Sequence, residues 1–456
     1  MGYDGTDLMK VVYNEERIET TLAKRTAIWD RVKKYTESKP QGGGAGGQYF
    51  EFYAETVRST SSGWIDPNGS TRTASNPDGV LGRVYAKYRH HPLEINEATM
   101  SQADTNWQAY ENGLKRLRDS MMDDNNRKRC LSVYGNRFGV IAFTSGNGSY
   151  GTVGTPLPVN GQYGFTDGAG NKVIWGAESF EQGDQILIYD LAGGTGSVQA
   201  RTVVNRTPAN PVLGTAGSLV LNSAVTLVTG HTYIIVFGEQ DGSSTSSTAK
   251  SDYSASGRAA QGFADLFCTA DTAPLTAKYE NITHADSTDD QYAPRWKPSV
   301  YTGGTAGTAE SMDSSHLTKV VMGPSTESGR KINVLVMNDA LFQSFMNYFE
   351  QQVIFPPTDF EGGMRKATWQ LPDHKVELYF DALAPHGCII GLSEDKMRRF
   401  EVRKPGWMNR GGNEFYLVDD KLAWKMIWVE GWTFGTFARA AHSIHKDIRE
   451  EVQLFT

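Results

Sequence analysis

The sequence predicts an α+β chain of several domains, and three observations carry that prediction. Its 456 residues exceed what one compact core organises, which favours two or three domains. Stretches with the three- and four-residue step of amphipathic helices give way to runs of aromatic and β-branched residues with strand character. Finally, residues 146–249 hold 10 charged residues among 104, about half the density of the whole chain at 21%, so a low-charge module stands apart from its surroundings. A hydrophobic fraction of 39% with 10 Trp, 20 Tyr and 20 Phe makes the chain an ordered one.

From Val11 to Tyr35, Ile18, Leu22, Trp29 and Val32 recur at helical steps among charged residues, which predicts an amphipathic helix in need of a larger body to pack on. Gly42 to Gly47 break it as a hinge. Tyr49 to Val57 and Val80 to Tyr88 then read as the two strands of a long β-arm, joined by 22 residues of Ser, Thr, Gly, Asn and Pro around Trp64. A hairpin of that length is marginal alone in water, so it is expected to lie on a neighbouring molecule.

Ser101 and Asp104 resemble a capping box, and Trp107, Tyr110, Leu114, Leu117 and Met121 follow at helical steps, predicting a long helix that ends near Tyr134–Gly135 before the short strand GVIAF. Within the low-charge module, residues 186–191, 198–205, 218–224 and 231–238 read as short strands of a small β-barrel or sandwich. Residues 242–254 follow as a linker. Further on, a helix around Ser315 to Met322 is expected to stop at a Gly-Pro turn, and Asp339 to cap a helix carrying Leu341, Phe342 and Phe345. Strands are predicted at 376–380, 388–392 and 400–403. The closing run, with Trp424, Met426 and Trp428, reads as a strand covered on both faces.

Composition and motifs exclude several functions. A net charge of −7 and a pI near 5.8 leave no global basic field for nucleic acid, so any DNA contact is local. Cys130, Cys268 and Cys388 form no CxxC pair and no even framework, which predicts free thiols from a reducing compartment. Nothing in the sequence approaches the roughly 18 apolar residues of a membrane span. Gly42, Gly44 and Gly47 satisfy G-x-G-x-x-G, yet a helix precedes them and a strand follows, the reverse of a dinucleotide loop. His90–His91 and the His442/His445 pair lack the further ligands of a metal site. Asp123–Asp124 and Asp289–Asp290 read as solvated acid pairs. The expectation is no catalytic site, no cofactor and no metal.

Arg58, Arg72, Arg83 and Arg89 form the one local basic feature on the predicted arm. Scattered surface charge, pairing with carboxylates of an adjacent subunit, and DNA contact are the three readings open to them.

The order of helical arm, glycine hinge, β-arm, long helix, β module, α/β unit and final strand resembles the major capsid proteins of tailed double-stranded-DNA bacteriophages. QYFEFYAETV through VYAKYRHHPLEI resembles that family's extended loop, and MSQADTNWQAYENGLKRLRDSMM its spine helix. WGAESFEQGDQILIYD, with the returns AAQGFADLF and RWKPSV, resembles the β-barrel insertion of one subset. INVLVMNDALFQSFM and the tail FYLVDDKLAWKMIWVEGWTFGTFARAAHSI resemble the axial core and last peripheral strand.

That resemblance implies an N-terminal arm at 1–41, an extended β-loop at 42–100 and a peripheral domain with its spine helix at 101–145. It further implies a β insertion domain at 146–250, a connecting segment at 251–310, an axial domain at 311–400 and a return to the peripheral domain at 401–456. Hexamers and pentamers of an icosahedral shell enclosing double-stranded DNA are implied, assembled in the bacterial host cytoplasm. Scaffolding, portal and decoration proteins are partners, and no membrane is involved. Arg58, Trp64, Arg72, Arg83 and Arg89 are then the candidate inter-subunit contacts. Because the chain starts almost directly at the arm, any scaffold is expected to be a separate protein. The loop tip, Ser59 to Gly79, has no lysine, and Lys87 lies well down the arm, so autocatalytic crosslinking is not expected. An encapsulin-like compartment, sharing the fold but holding cargo protein, is the alternative; a carbohydrate-binding or tail-fibre-type protein is a third reading, suggested by the Gly/Ser/Thr-rich β module.

Overall fold

The computed structural model describes residues 27–35, 49–57, 78–96, 107–137, 139–159, 176–190, 198–208, 217–231, 233–237, 259–267, 282, 296–303, 310–350, 367–370, 374–409, 416–417 and 423–450. The glycine hinge, Cys268, Asp289–Asp290, the 242–254 linker and most of the N-terminal helix lie outside them. A short helix α1, Ala27–Arg31, is the described part of that helix.

β1 (Tyr49–Val57) and β2 (Asp78–Tyr85) pair antiparallel, with Tyr49 opposite Tyr85 and Tyr53 opposite Leu81. Period-two alternation gives the hairpin two unlike faces. Phe50, Phe52, Ala54 and Val84 are buried. Phe50 meets Phe400 at 5.1 Å and Phe52 meets Phe437 at 5.4 Å between ring centroids. The described hairpin therefore stands on its own chain, which corrects the expectation that only a neighbouring molecule steadies it. The second strand is also shorter than expected. After Tyr85 the chain passes into β3 (Lys87–Asn96), which pairs with the closing strand 423–436; Arg89 thus sits in a sheet and not on the hairpin.

α2 spans Trp107–Tyr134. Its end is sealed by α3 (Phe263–Leu266), whose Ala264 N–H donates to the Gly135 carbonyl. At Gly262, just before α3, an added Cβ would lie 2.5–2.6 Å from the carbonyls of Gly135, Ser132 and Val133, so only glycine permits this approach.

β4 (Val140–Thr144), β5 (Gly148–Tyr150), β6 (Leu157–Val159), β7 (Gln185–Asp190), β8 (Gln199–Thr207), β9 (Gly217–Leu221), β10 (Val225–Leu227) and β11 (Tyr233–Phe237) form the low-charge module. Six of them make an antiparallel sheet in the order β4-β11-β7-β8-β9-β6, and β5 pairs with β10. Phe180, Ile186, Ile188, Leu219, Ile235 and their neighbours form its own apolar cluster. β4, which the sequence reading places ahead of the module, is its edge strand; all five of its residues are buried, so both of its faces are covered. Arg127 on α2 ties the module down, reaching Asp184 at 2.6 Å and the Ser179 carbonyl at 3.1 Å.

The second six-stranded sheet, mixed, contains β12 (Ser299–Thr302), β14 (Val334–Met337), β15 (Ala367–Gln370), β16 (Lys375–Phe380), β17 (Ile389–Leu392) and β21 (Ser443–Lys446), in the order β12-β21-β17-β14-β16-β15. β13 (Glu310–Ser311) pairs with β22 (Ile448–Arg449) beside it. The helix α4, Ser314–Ser328, does not stop at the expected Gly-Pro turn but continues through Pro324. Proline has no N–H for the carbonyl four residues back. That carbonyl, of Val320, instead accepts from the Ser443 hydroxyl at 2.6 Å. α5 spans Asp339–Glu350, and its cap is Asn338 rather than Asp339: the Asn338 Oδ1 accepts from the Ala340 N–H at 3.0 Å.

β18 (Met397–Trp407), β19 (Tyr416–Leu417), β20 (Ala423–Thr436) and β3 form the last sheet. From Trp428 to Thr436 every residue of β20 is buried, so the double cover expected of the closing strand belongs to its second half.

Candidate interaction surface

Three cross-strand rungs with described side chains lie on the hairpin face turned away from the core. Tyr49 faces Tyr85, with centroids 5.7 Å apart. Glu51 faces Arg83, joined by an ion pair of 2.8 Å. Tyr53 faces Leu81, and these stand 61% and 47% exposed. The Arg83 guanidinium also lies 5.3 Å from the Tyr49 ring centroid. Cross-strand pairs of this kind add stability to a two-stranded ribbon, but a Tyr–Leu rung in water gains little from being there. Contact with an apolar surface would bury it.

Arg83 therefore has a carboxylate partner within the chain. Arg89, on β3, donates to the Asn125 carbonyl at 3.2 Å and lies 3.7 Å from the buried Glu430. Its first engagement is internal as well. Arg58, Trp64 and Arg72 lie outside the described residues. Sequence reasoning passed over Tyr53 and Leu81, although the alternation in YFEFYAETV separates them from Phe50 and Phe52.

Among the described residues, the titratable groups singled out in the sequence are packed in the core or lie at the surface. His90 is exposed and His91 half-buried on β3, opposite Val429 and Trp428. His442 is fully buried, accepting from the Ser393 N–H at 3.2 Å and meeting the Thr436 hydroxyl at 2.9 Å; burial, and then Arg439, push it down to about 3. Asp124 pairs with Arg127 at 3.0 Å and Lys128 at 2.8 Å, while Asp123 is exposed. Cys130 and Cys388 are buried free thiols. Among the described residues no group of three or more His, Cys, Asp or Glu is placed to hold a metal ion, and no helix is long and apolar enough to cross a membrane.

A second assembly fixes the N-terminal segment under the hairpin. Trp29 on α1 is 3% exposed. Its ring meets Trp432 edge-on at 4.7 Å, with the Arg399 and Arg129 guanidiniums 4.3 Å and 4.7 Å from its centroid. Backbone bonds of 2.9 Å and 3.0 Å, from Tyr35 N–H to the Arg399 carbonyl and from Arg399 N–H to that of Lys33, add residues 33–35 to the edge of β18. Arg31 reaches across to Glu377, Glu394 and Tyr379 of the mixed sheet region. One nine-residue segment, 27–35, thus fastens two sheets.

No family profile and no curated protein matches the sequence. Solved structures similar to this chain include phage capsids and an encapsulin. The capsid of cyanophage A-1(L) is 11% identical over 94% of this chain and 93% of its own, with a TM-score of 0.46. The capsid of Myoviridae phage XM1 is 8% identical over 93% and 92%, with a TM-score of 0.38. The holo-SrpI encapsulin of Synechococcus elongatus PCC 7942 is 9% identical over 34% of this chain and 55% of its own, with a TM-score of 0.23.

Proposed function

We propose that this chain is a major capsid protein, many copies of which form the hexamers and pentamers of an icosahedral phage shell around double-stranded DNA. The carrying observation is the hairpin. One face is anchored in its own core while the other presents an apolar Tyr53–Leu81 rung to solvent, an arrangement suited to lying across an adjacent copy. The element order supports the same reading, with a long helix, an inserted β module and an α/β sheet in the positions that the family resemblance implies. In this reading residues 42–100 are the extended loop, Arg58, Trp64 and Arg72 are candidate contacts to an adjacent copy, and Arg83 holds the rung pattern through Glu51. The low-charge module is the insertion, closed as a barrel or sandwich, and offers a seat for decoration proteins. Packaged DNA, scaffolding and portal proteins complete the partners, the virion is the location, and no reaction is catalysed.

The test is assembly. Tyr53→Lys together with Leu81→Glu is expected to leave the melting temperature of the unassembled chain within a few degrees, because both side chains are exposed, and to abolish large particles in sedimentation. Particles of unchanged size and yield would contradict the role of the rung.

A further inference from the structure

Two buried histidines meet at β21, an inner strand of the mixed sheet. His316 lies in the first turn of α4 and His445 on β21, 2% and 0% exposed, and their ring centroids are 4.5 Å apart. Nδ1 of His316 stands 3.1 Å from Nε2 of His445. Each outer nitrogen faces a backbone carbonyl: His316 Nε2 meets that of Ser311 at 3.1 Å, and His445 Nδ1 meets that of Lys446 at 3.2 Å. A carbonyl only accepts, so each outer nitrogen must carry a hydrogen, and the inner contact needs one more. Two neutral imidazoles supply two. The three bonds together therefore hold one proton beyond neutrality.

We infer that His316 and His445 form a one-proton latch, a single positive charge held between two carbonyls, which fastens β13 and the start of α4 onto β21 and opens when a second proton arrives. The surroundings fit one charge and not two. Glu310 on β13 places its carboxylate 3.8 Å from His316 Nε2. Asp313, before α4, is engaged by the Tyr348 hydroxyl at 2.9 Å. Lys319 on α4 acts on His445 from the repelling side, and Lys446 and Asp447 follow His445 in the chain. Tyr301 on β12 stacks over His445 at 6.2 Å.

With both rings charged, the inner contact would become N–H against N–H, and all three bonds could not be kept. Burial, and then repulsion from His316, push His445 down to about 4, whereas an exposed histidine takes its proton near about 6.5. Any opening that exposes His445 therefore takes up a proton between those values. As pH falls through that window the opening equilibrium rises by up to about tenfold per pH unit, most steeply near its middle, because the open state binds up to one proton more. His442 does not blur this local effect, since its bonds go to Ser393 and Thr436.

Hydrogen–deuterium exchange of the full chain, followed on amides of residues 310–318 and corrected for intrinsic exchange, tests the latch. The wild type should show a rise of about 40-fold in total between about pH 6.5 and 4.5, steepest near the middle of that range. His445→Gln, which offers an acceptor and a donor but never a charge, should be flat over the same range. Equal slopes in the two proteins would overturn the latch, and so would a flat wild type, a result that stands even if the variant does not fold. Protection of these amides by micromolar zinc at neutral pH, lost in His445→Gln, would also overturn it, in favour of a metal held between the rings.

Discussion

Glu430→Ala is expected to destabilise the unassembled chain by about 3–5 kcal/mol, the usual cost of leaving one member of a buried ion pair without its partner. Glu430 lies on β20, completely buried, and Arg129 on α2 is 1% exposed. The Arg129 Nε donates to Glu430 Oε2 at 3.0 Å, with a second bond from Nη2, and Arg89 approaches the other oxygen at 3.7 Å. Burial pushes the Glu430 carboxyl up, but the Arg129 and Arg89 guanidiniums outweigh it and hold the group below its ordinary value. A carboxyl depressed in the folded state binds fewer protons there than when unfolded. Its contribution is therefore complete above the unfolded value and lost as pH falls through the folded one. Urea denaturation at neutral pH should show the full difference between Glu430→Ala and wild type. A loss below about 1 kcal/mol, as for an exposed ion pair, would contradict this account.

Trp29→Ala is expected to cost a similar amount, about 3–5 kcal/mol, as a large aromatic removed from a packed site. The indole lies among Trp432, Phe434, Arg129 and Arg399, so its loss leaves two guanidiniums without the ring they flank. The effect should be local as well as global. Exchange protection at the Tyr35 and Arg399 amides, which bond across 33–35 and β18, should fall further than protection in β7 or β11 of the distant module. Uniform loss across the chain would mean that segment 27–35 is not a separate fastening.

Much of this architecture was legible because local pattern and tertiary environment agree. The alternation of YFEFYAETV, the helical steps around Trp107 to Met121 and the apolar run of β20 each named the right element. The sequence reading failed where a distant residue supplies what local rules demand. Pro324 reads as a helix stop until Ser443, over a hundred residues away, is seen to satisfy the Val320 carbonyl. β4 reads as an isolated strand because its partner β11 is the last strand of the module in the sequence. Arg83 and Arg89 were singled out as outward-looking cations, yet Glu51 and Glu430 stand beside them in the fold. Glu430 itself gave a signal that was passed over, since one carboxylate in the apolar run WKMIWVEGWTF needs a buried cation. The His316–His445 contact joins residues 129 positions apart and leaves no trace in spacing.

Copies of this chain are expected to close into a shell around DNA. Electron microscopy of particles purified from infected cells, with their contents assayed for nucleic acid and protein, tests it most directly. Closed icosahedral shells of this chain filled with double-stranded DNA are predicted. Shells filled with a protein cargo would make the chain a compartment of the encapsulin kind, and small soluble oligomers with no shell at all would contradict the account outright.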